Sequence, residues 1–162
     1  MAGVLLATLV ATACSIPEKK TLEYTNHGPS ADDLFVARSY ALNGRKPTFD
    51  ERRRWENEME ERVYGYLRQH PELEQTARYT DFRSWWQIAP GSTPAEVRLL
   101  LDEPQEQTVD PARMAALAER HWPEVESKAK EAWVYDPGWI VYFDDKGVII
   151  MLHRVTTSIL GD

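Results

Sequence analysis

Apolar side chains recur along this chain with two periods, and the change from one to the other marks its organisation. The clearest helical stretch is 91–104, Gly-Ser-Thr-Pro-Ala-Glu-Val-Arg-Leu-Leu-Leu-Asp-Glu-Pro. Val97, Leu100 and Leu101 fall at i, i+3 and i+4, one stripe at helical spacing. Thr93 and Glu96 have the spacing of a capping box, and Pro94 sits at N1, where its missing N–H costs nothing. Pro104 forbids continuation and pushes Glu103 out of the helical region. A helix this short is unstable alone, so its stripe must dock. The aromatic run from Trp133 to Leu152 is the candidate surface.

Other segments repeat this logic. Ser30-Ala31-Asp32-Asp33 opens a helix with Leu34, Ala37, Tyr40 and Ala41 on one side and a stop at Asn43-Gly44. Thr48 and Glu51 open a longer helix that lines up Trp55, Met59, Val63, Tyr66 and Leu67 and ends at Pro71, after His70. The aromatic segment 79–88 reads as a short helix or extended piece. Asp110-Pro111 starts a helix with Met114, Leu117, Ala118 and His121 on its buried side. Trp122-Pro123 interrupts it, and the Glu124–Lys128 and Glu126–Lys130 spacings carry it on to about Lys130. The period then becomes two. Segments 132–136, 139–144 and 148–155 read as strands joined by Asp136-Pro137-Gly138 and by Asp144-Asp145-Lys146-Gly147. The expected fold class is α+β, with helices packed on a three-stranded antiparallel β-meander and an added N-terminal helical segment.

The second and third strands have no polar face. Ile140 and Tyr142 alternate with Trp139, Val141 and Phe143, and Ile149 and Met151 alternate with Val148, Ile150 and Leu152. Large contiguous apolar patches are seldom left bare on a monomer, and interface cores select aromatic and Met residues. Either the helical extension 30–80 covers the second face, or a protein partner does. Ile140, Tyr142, Ile149 and Met151 are the candidate partner-binding residues.

The amino terminus adds a localisation. Residues 1–13 are apolar apart from Thr8 and Thr12, too short to cross a bilayer but of signal-peptide length. Ala11-Thr12-Ala13-Cys14 resembles a bacterial lipobox, although no Lys or Arg precedes the apolar run. Cys14 is the sole cysteine, so no intrachain disulfide can form and acylation is its expected fate. An ordinary secretory signal or a short buried strand are the alternatives. Ser15 after the cysteine favours the outer over the inner membrane. Residues 14–29, rich in Pro, Lys, Thr, Asn and Gly, read as a flexible tether. The expected organisation is a leader 1–13, the tether 14–29, a helical extension 30–90, and an α+β domain 91–162 with a helical insertion at 105–131.

Composition narrows the function classes. A net charge of -7 makes nucleic acid an unexpected partner. Six Trp and seven Tyr suit a small domain filling its core with large side chains. His27, His70, His121 and His153 are scattered without metal-ligand spacing, and no Gly-rich phosphate loop or Gly-x-Ser-x-Gly occurs. Neither metal nor cofactor nor enzymatic activity is expected.

Gly91 and Thr93 at a helix start, Val97, Leu100 and Leu101 on its face, Pro104 at its end, Trp133-x-Tyr135, the strand with Val141, Phe143 and Asp144, and the Gly147-Val148 hairpin together resemble the SmpA/OmlA, or BamE-like, lipoprotein family. The resemblance covers about 88–104 and 131–152. It implies two helices on one face of a three-stranded sheet, a lipid anchor on the periplasmic side of the outer membrane, and support for insertion of β-barrel proteins through protein binding. The β-lactamase inhibitory proteins share that fold, so an inhibitor or binding module is the alternative, and an enzyme with a scattered site a lesser one. The chain departs from the family in three places. Asp102 stands where the family usually has Gly, 105–131 replaces a short loop, and 30–80 has no counterpart.

Overall fold

A computed structural model of the chain describes residues 19–157. The capping signals set the helix starts. Ser30, Thr48 and Thr93 each accept from the N3 amide while the N3 carboxylate reaches back, opening α1 (Ala31–Asn43), α2 (Phe49–Gln69) and α4 (Pro94–Leu101). Gly44 closes α1 in the left-handed region at φ 67°, as the Asn-Gly stop predicts. After α2 the chain makes a 3₁₀ turn, Pro71–Gln75, and the aromatic segment forms the short helix α3 (Tyr79–Ser84). Asp110 caps α5 (Pro111–Ala118), and a 3₁₀ turn leads into α6 (Trp122–Val125). α6 stops at Val125 instead of running to Lys130, and the Lys130 N–H donates to Phe143 O, already at the rim of the sheet.

The sheet has five antiparallel strands in the order β1-β5-β4-β3-β2. The expected meander is its centre: β3 (Glu131–Tyr135), β4 (Trp139–Phe143) and β5 (Val148–Thr157). Two strands are added at the edges. β2 (Glu106–Thr108) opens the insertion that reads as wholly helical, and pairs with β3. β1 (Lys19–Thr25) lies within the stretch expected to be a flexible tether, and pairs with β5 over its whole length, from Lys19↔Thr157 to Thr25↔Met151. Leu22 is the reason it docks, being 3% exposed in the core. Leaving β1, the chain crosses Ile88 and Met151 so closely that only Gly fits at position 28. A Cβ there would lie 2.3 Å from Ile88 Cγ1 and 2.5 Å from Met151 Sδ.

Both faces of the sheet are covered within the chain. On one face α1, α2, α3 and α4 pack Leu34, Met59, Val63, Phe82, Val97, Leu100 and Leu101 onto Trp133, Val141, Phe143 and Met151. On the other, α5 and α6 pack Met114, Leu117, Ala118 and Val125 onto Ile140, Tyr142, Ile150 and Leu152, with Leu22 of β1 beside them. The cover for the second face is thus the insertion between α4 and β3, while the extension 30–80 thickens the first layer. α1 also differs from its expected stripe. Ala31, Leu34 and Ser39 are buried, whereas Tyr40, Ala41 and Leu42 turn outward, because only the first half of the helix lies over the sheet core.

Candidate functional site

Of the residues singled out by sequence, Cys14 lies outside the described residues. The four partner-binding candidates do not form a surface. Ile140 and Tyr142 are 2% and 0% exposed beneath α5 and α6, and the Tyr142 hydroxyl donates to Met114 O at 2.7 Å. Met151 is the cross-strand partner of Val141 and therefore faces the opposite layer, under α4. Ile149 is half-buried beside the second core. The grouping fails for a physical reason. Residues opposite one another across a ladder share a face, and an irregularity between Tyr142 and Phe143 shifts the parity of β4 against β5. Burial pushes the Tyr142 phenol well above its ordinary range, as it does that of Tyr135.

Charged groups that join one layer to another lie at the two ends of α4. At its start Glu96, 2% exposed, accepts from Arg78 through both carboxylate oxygens, at 3.1 and 2.9 Å, and caps the Thr93 amide at 3.0 Å. At its end Asp102 takes Arg38 Nη1 of α1 at 2.7 Å and Arg62 Nη1 of α2 at 3.0 Å, while its carbonyl accepts the Tyr135 hydroxyl of β3 at 3.1 Å. Next to it the Arg98 guanidinium lies 4.2 Å from the centre of the Trp133 ring. These are joints between layers. Every carboxylate in them is answered by a guanidinium, which leaves no free acid–base pair there. Sequence reasoning missed both joints, and the one signal for Asp102 was its place where the resembled family has Gly.

The histidines stay apart. His70 faces Glu72 and stacks on Tyr66, His121 lies between Glu124 and the Leu22 carbonyl, and His153 stacks on Trp139 at 4.2 Å. Among the described residues no group of three or more His, Cys, Asp or Glu could hold a metal, and no helix is long and apolar enough to cross a membrane. The concave surfaces are open grooves. One of about 280 Å³ between α2 and α3 is lined by Glu60, Val63, Tyr64, Arg83, Ser84 and Trp86. Another, of about 440 Å³, lies where the end of α1 meets the β3–β4 turn and is mainly apolar. Leu42, at 83% exposure, stands at its rim.

No family model, curated protein or solved structure matches this chain.

Proposed function

We propose that the protein is a lipid-anchored periplasmic accessory or scaffold protein that acts by binding a protein partner at the outer membrane. The observation that carries this reading is Ala11-Thr12-Ala13-Cys14, small residues ahead of the sole cysteine and behind a short apolar run. Diacylated cysteine supplies the two or more chains that stable anchoring needs, where a single chain binds only marginally. The densely paired, two-sided α+β domain supports a role in binding rather than in chemistry. Its grooves are open, and the charged groups around α4 are spent on one another. A part in β-barrel assembly rests on the resemblance to the SmpA/OmlA lipoproteins. The buried sheet faces weigh against the alternative of an inhibitor that docks through its sheet, since neither face is bare.

The test is Cys14→Ala in a bacterial host, followed by membrane fractionation and mass spectrometry of the amino-terminal peptide. The expected outcome is loss of the acylated peptide and release of the protein from the membrane fraction. Membrane association that survives the substitution refutes the anchor.

A further inference from the structure

β1 changes what an anchor at Cys14 would do. The strand begins at Lys19, five residues after the cysteine. At about 3.6 Å per residue, Cys14 lies within about 18 Å of the start of the sheet. The anchor therefore pulls one end of the fold to the headgroups instead of letting the domain swing on a long leash.

The ladder register says which end this is. Lys19 pairs with Thr157, four positions beyond His153, which pairs with Trp139, the first residue of β4. The same end of the sheet carries the β3–β4 turn, whose Gly138 carbonyl accepts the Arg154 amide at 2.9 Å, and Gln105, whose side-chain oxygen accepts the Asp136 amide at 3.0 Å. It also carries the mainly apolar groove formed by Ala37, Ala41 and Leu42 of α1 against Pro137, with Arg38 and Asp136 among its lining. The turn between β3 and β4 lies two to three strands from β1, roughly 10–14 Å at the usual strand spacing. Exposed Lys46 follows α1, next to Arg45, which is bound to both Glu51 carboxylate oxygens at 2.8 and 2.9 Å, and Lys19 and Lys20 open β1. The attachment point, an outward-turned apolar patch and three lysine positions thus share one end of the molecule. At the other end, beyond the Thr108↔Ala132 pair, Val109 is exposed at 70%, and Trp85 and Tyr24, also away from the groove, are exposed at 65% and 46%.

We propose that the groove at the end of α1 is the surface on which the anchored domain rests on the bilayer, Leu42 entering the headgroup–acyl boundary with the strands standing steeply to the membrane. The inference deepens the anchor reading and rests on it. A patch this small would not hold a free protein on a membrane. It needs only to orient one that the lipid already holds there, where its effective concentration at the surface is high. Basic residues flanking an apolar contact suit an anionic headgroup layer.

The experiment uses the full lipidated chain in vesicles of phosphatidylethanolamine and phosphatidylglycerol, carrying an environment-sensitive fluorophore on Leu42→Cys or, separately, on Val109→Cys. With Cys14 acylated, each variant has one free thiol. Quenching by headgroup-region nitroxide lipids is expected to be several-fold stronger at position 42 than at 109, with a blue shift at 42 alone. Equal quenching, or stronger quenching at 109, overturns the orientation. Flotation of the same samples separates the two readings: protein that floats with equal quenching refutes only the orientation, whereas protein that does not float refutes the anchor and the orientation with it. A shift at 42 that needs no lipid and grows with protein concentration marks a second copy as the occupant and also overturns the proposal.

Discussion

Asp102 sits at φ 62° and ψ -159°, a backbone region that is essentially reserved for Gly. Holding a side chain there costs of the order of 1–3 kcal/mol, and the surroundings must hold it in place. They do so with ion pairs from Arg38 and Arg62 and with the Tyr135 hydroxyl on its carbonyl. Asp102→Gly removes the strain, loses about 0.5–1 kcal/mol to the freer unfolded chain, and loses two half-exposed ion pairs at about 0.2–1 kcal/mol each. These effects nearly cancel, so the variant should lie within about 1 kcal/mol of the parent. Asp102→Ala keeps the strain and loses the ion pairs, and should fall about 1–2 kcal/mol below the Gly variant. Urea unfolding with an unchanged slope measures both. High salt should weaken the parent relative to the Gly variant, because it screens the two ion pairs. An Ala variant as stable as the Gly variant would refute the assignment of strain to this residue.

Leu100→Ala should cost about 2–5 kcal/mol, since the side chain is 1% exposed in the first core, and Thr93→Ala about 1 kcal/mol for the lost cap; denaturant melts that rank them the other way would place α4 in a different register. Tyr142→Phe should cost about 0.5–1.5 kcal/mol by removing the hydroxyl's bond to the Met114 carbonyl, whereas Tyr142→Asp should abolish the cooperative thermal melt. Tyr135 and Tyr142 have folded-state pKa values raised by burial, so the native state retains protons that the unfolded state releases near pH 10; their contribution is complete below that pH and falls as pH rises above it. An alkaline stability slope that Tyr142→Phe leaves unchanged would contradict this. Arg45 holds the Glu51 carboxyl below its usual range, Arg113 does the same for Glu106, and the Lys146 amide for Asp144. Their contributions are present above about pH 4 and are lost as pH falls through the lowered values, which an acid titration of stability followed by circular dichroism would show.

What the sequence made legible was local chemistry. The boxes Ser30–Asp33, Thr48–Glu51 and Thr93–Glu96 and the Asp110-Pro111 start need only the four residues that make them, and all form. The central strands were legible because their period is two over long apolar runs. β1 was not, since Lys-Lys-Thr-Leu-Glu-Tyr-Thr carries one buried apolar side chain and gains its order from the partner strand β5. The layer each strand residue faces was not legible either, because it depends on the irregularity at Tyr142/Phe143. That is why simple alternation groups Met151 with Tyr142 although the two lie on opposite sides of the sheet. The Asp102 joint brings together residues about 40 and 60 positions apart, Arg62 and Arg38, a distance over which no periodicity speaks.

The edge position of β1 also bears on how the domain would keep its shape under the proposed anchor. A membrane tether that entered through a loop would leave the fold indifferent to it. Here β1 is the outermost strand, and a force applied at Lys19 would act first on the β1–β5 ladder. Edge strands are the natural place for a sheet to peel or to recruit a foreign strand. The protein meets this on both sides of β1. Inward, Leu22 is locked into the second core beside Leu117 and Leu152. On the outside, the Leu22 carbonyl receives Arg120 Nη2 at 3.1 Å and lies 3.2 Å from His121 Nε2, both from the turn after α5. The insertion that covers the second sheet face therefore also clasps the edge strand. Losing that clasp would expose a backbone acceptor and loosen the core residue at the same position. The segment 105–131 thereby ties the edge strand β1 to the rest of the domain.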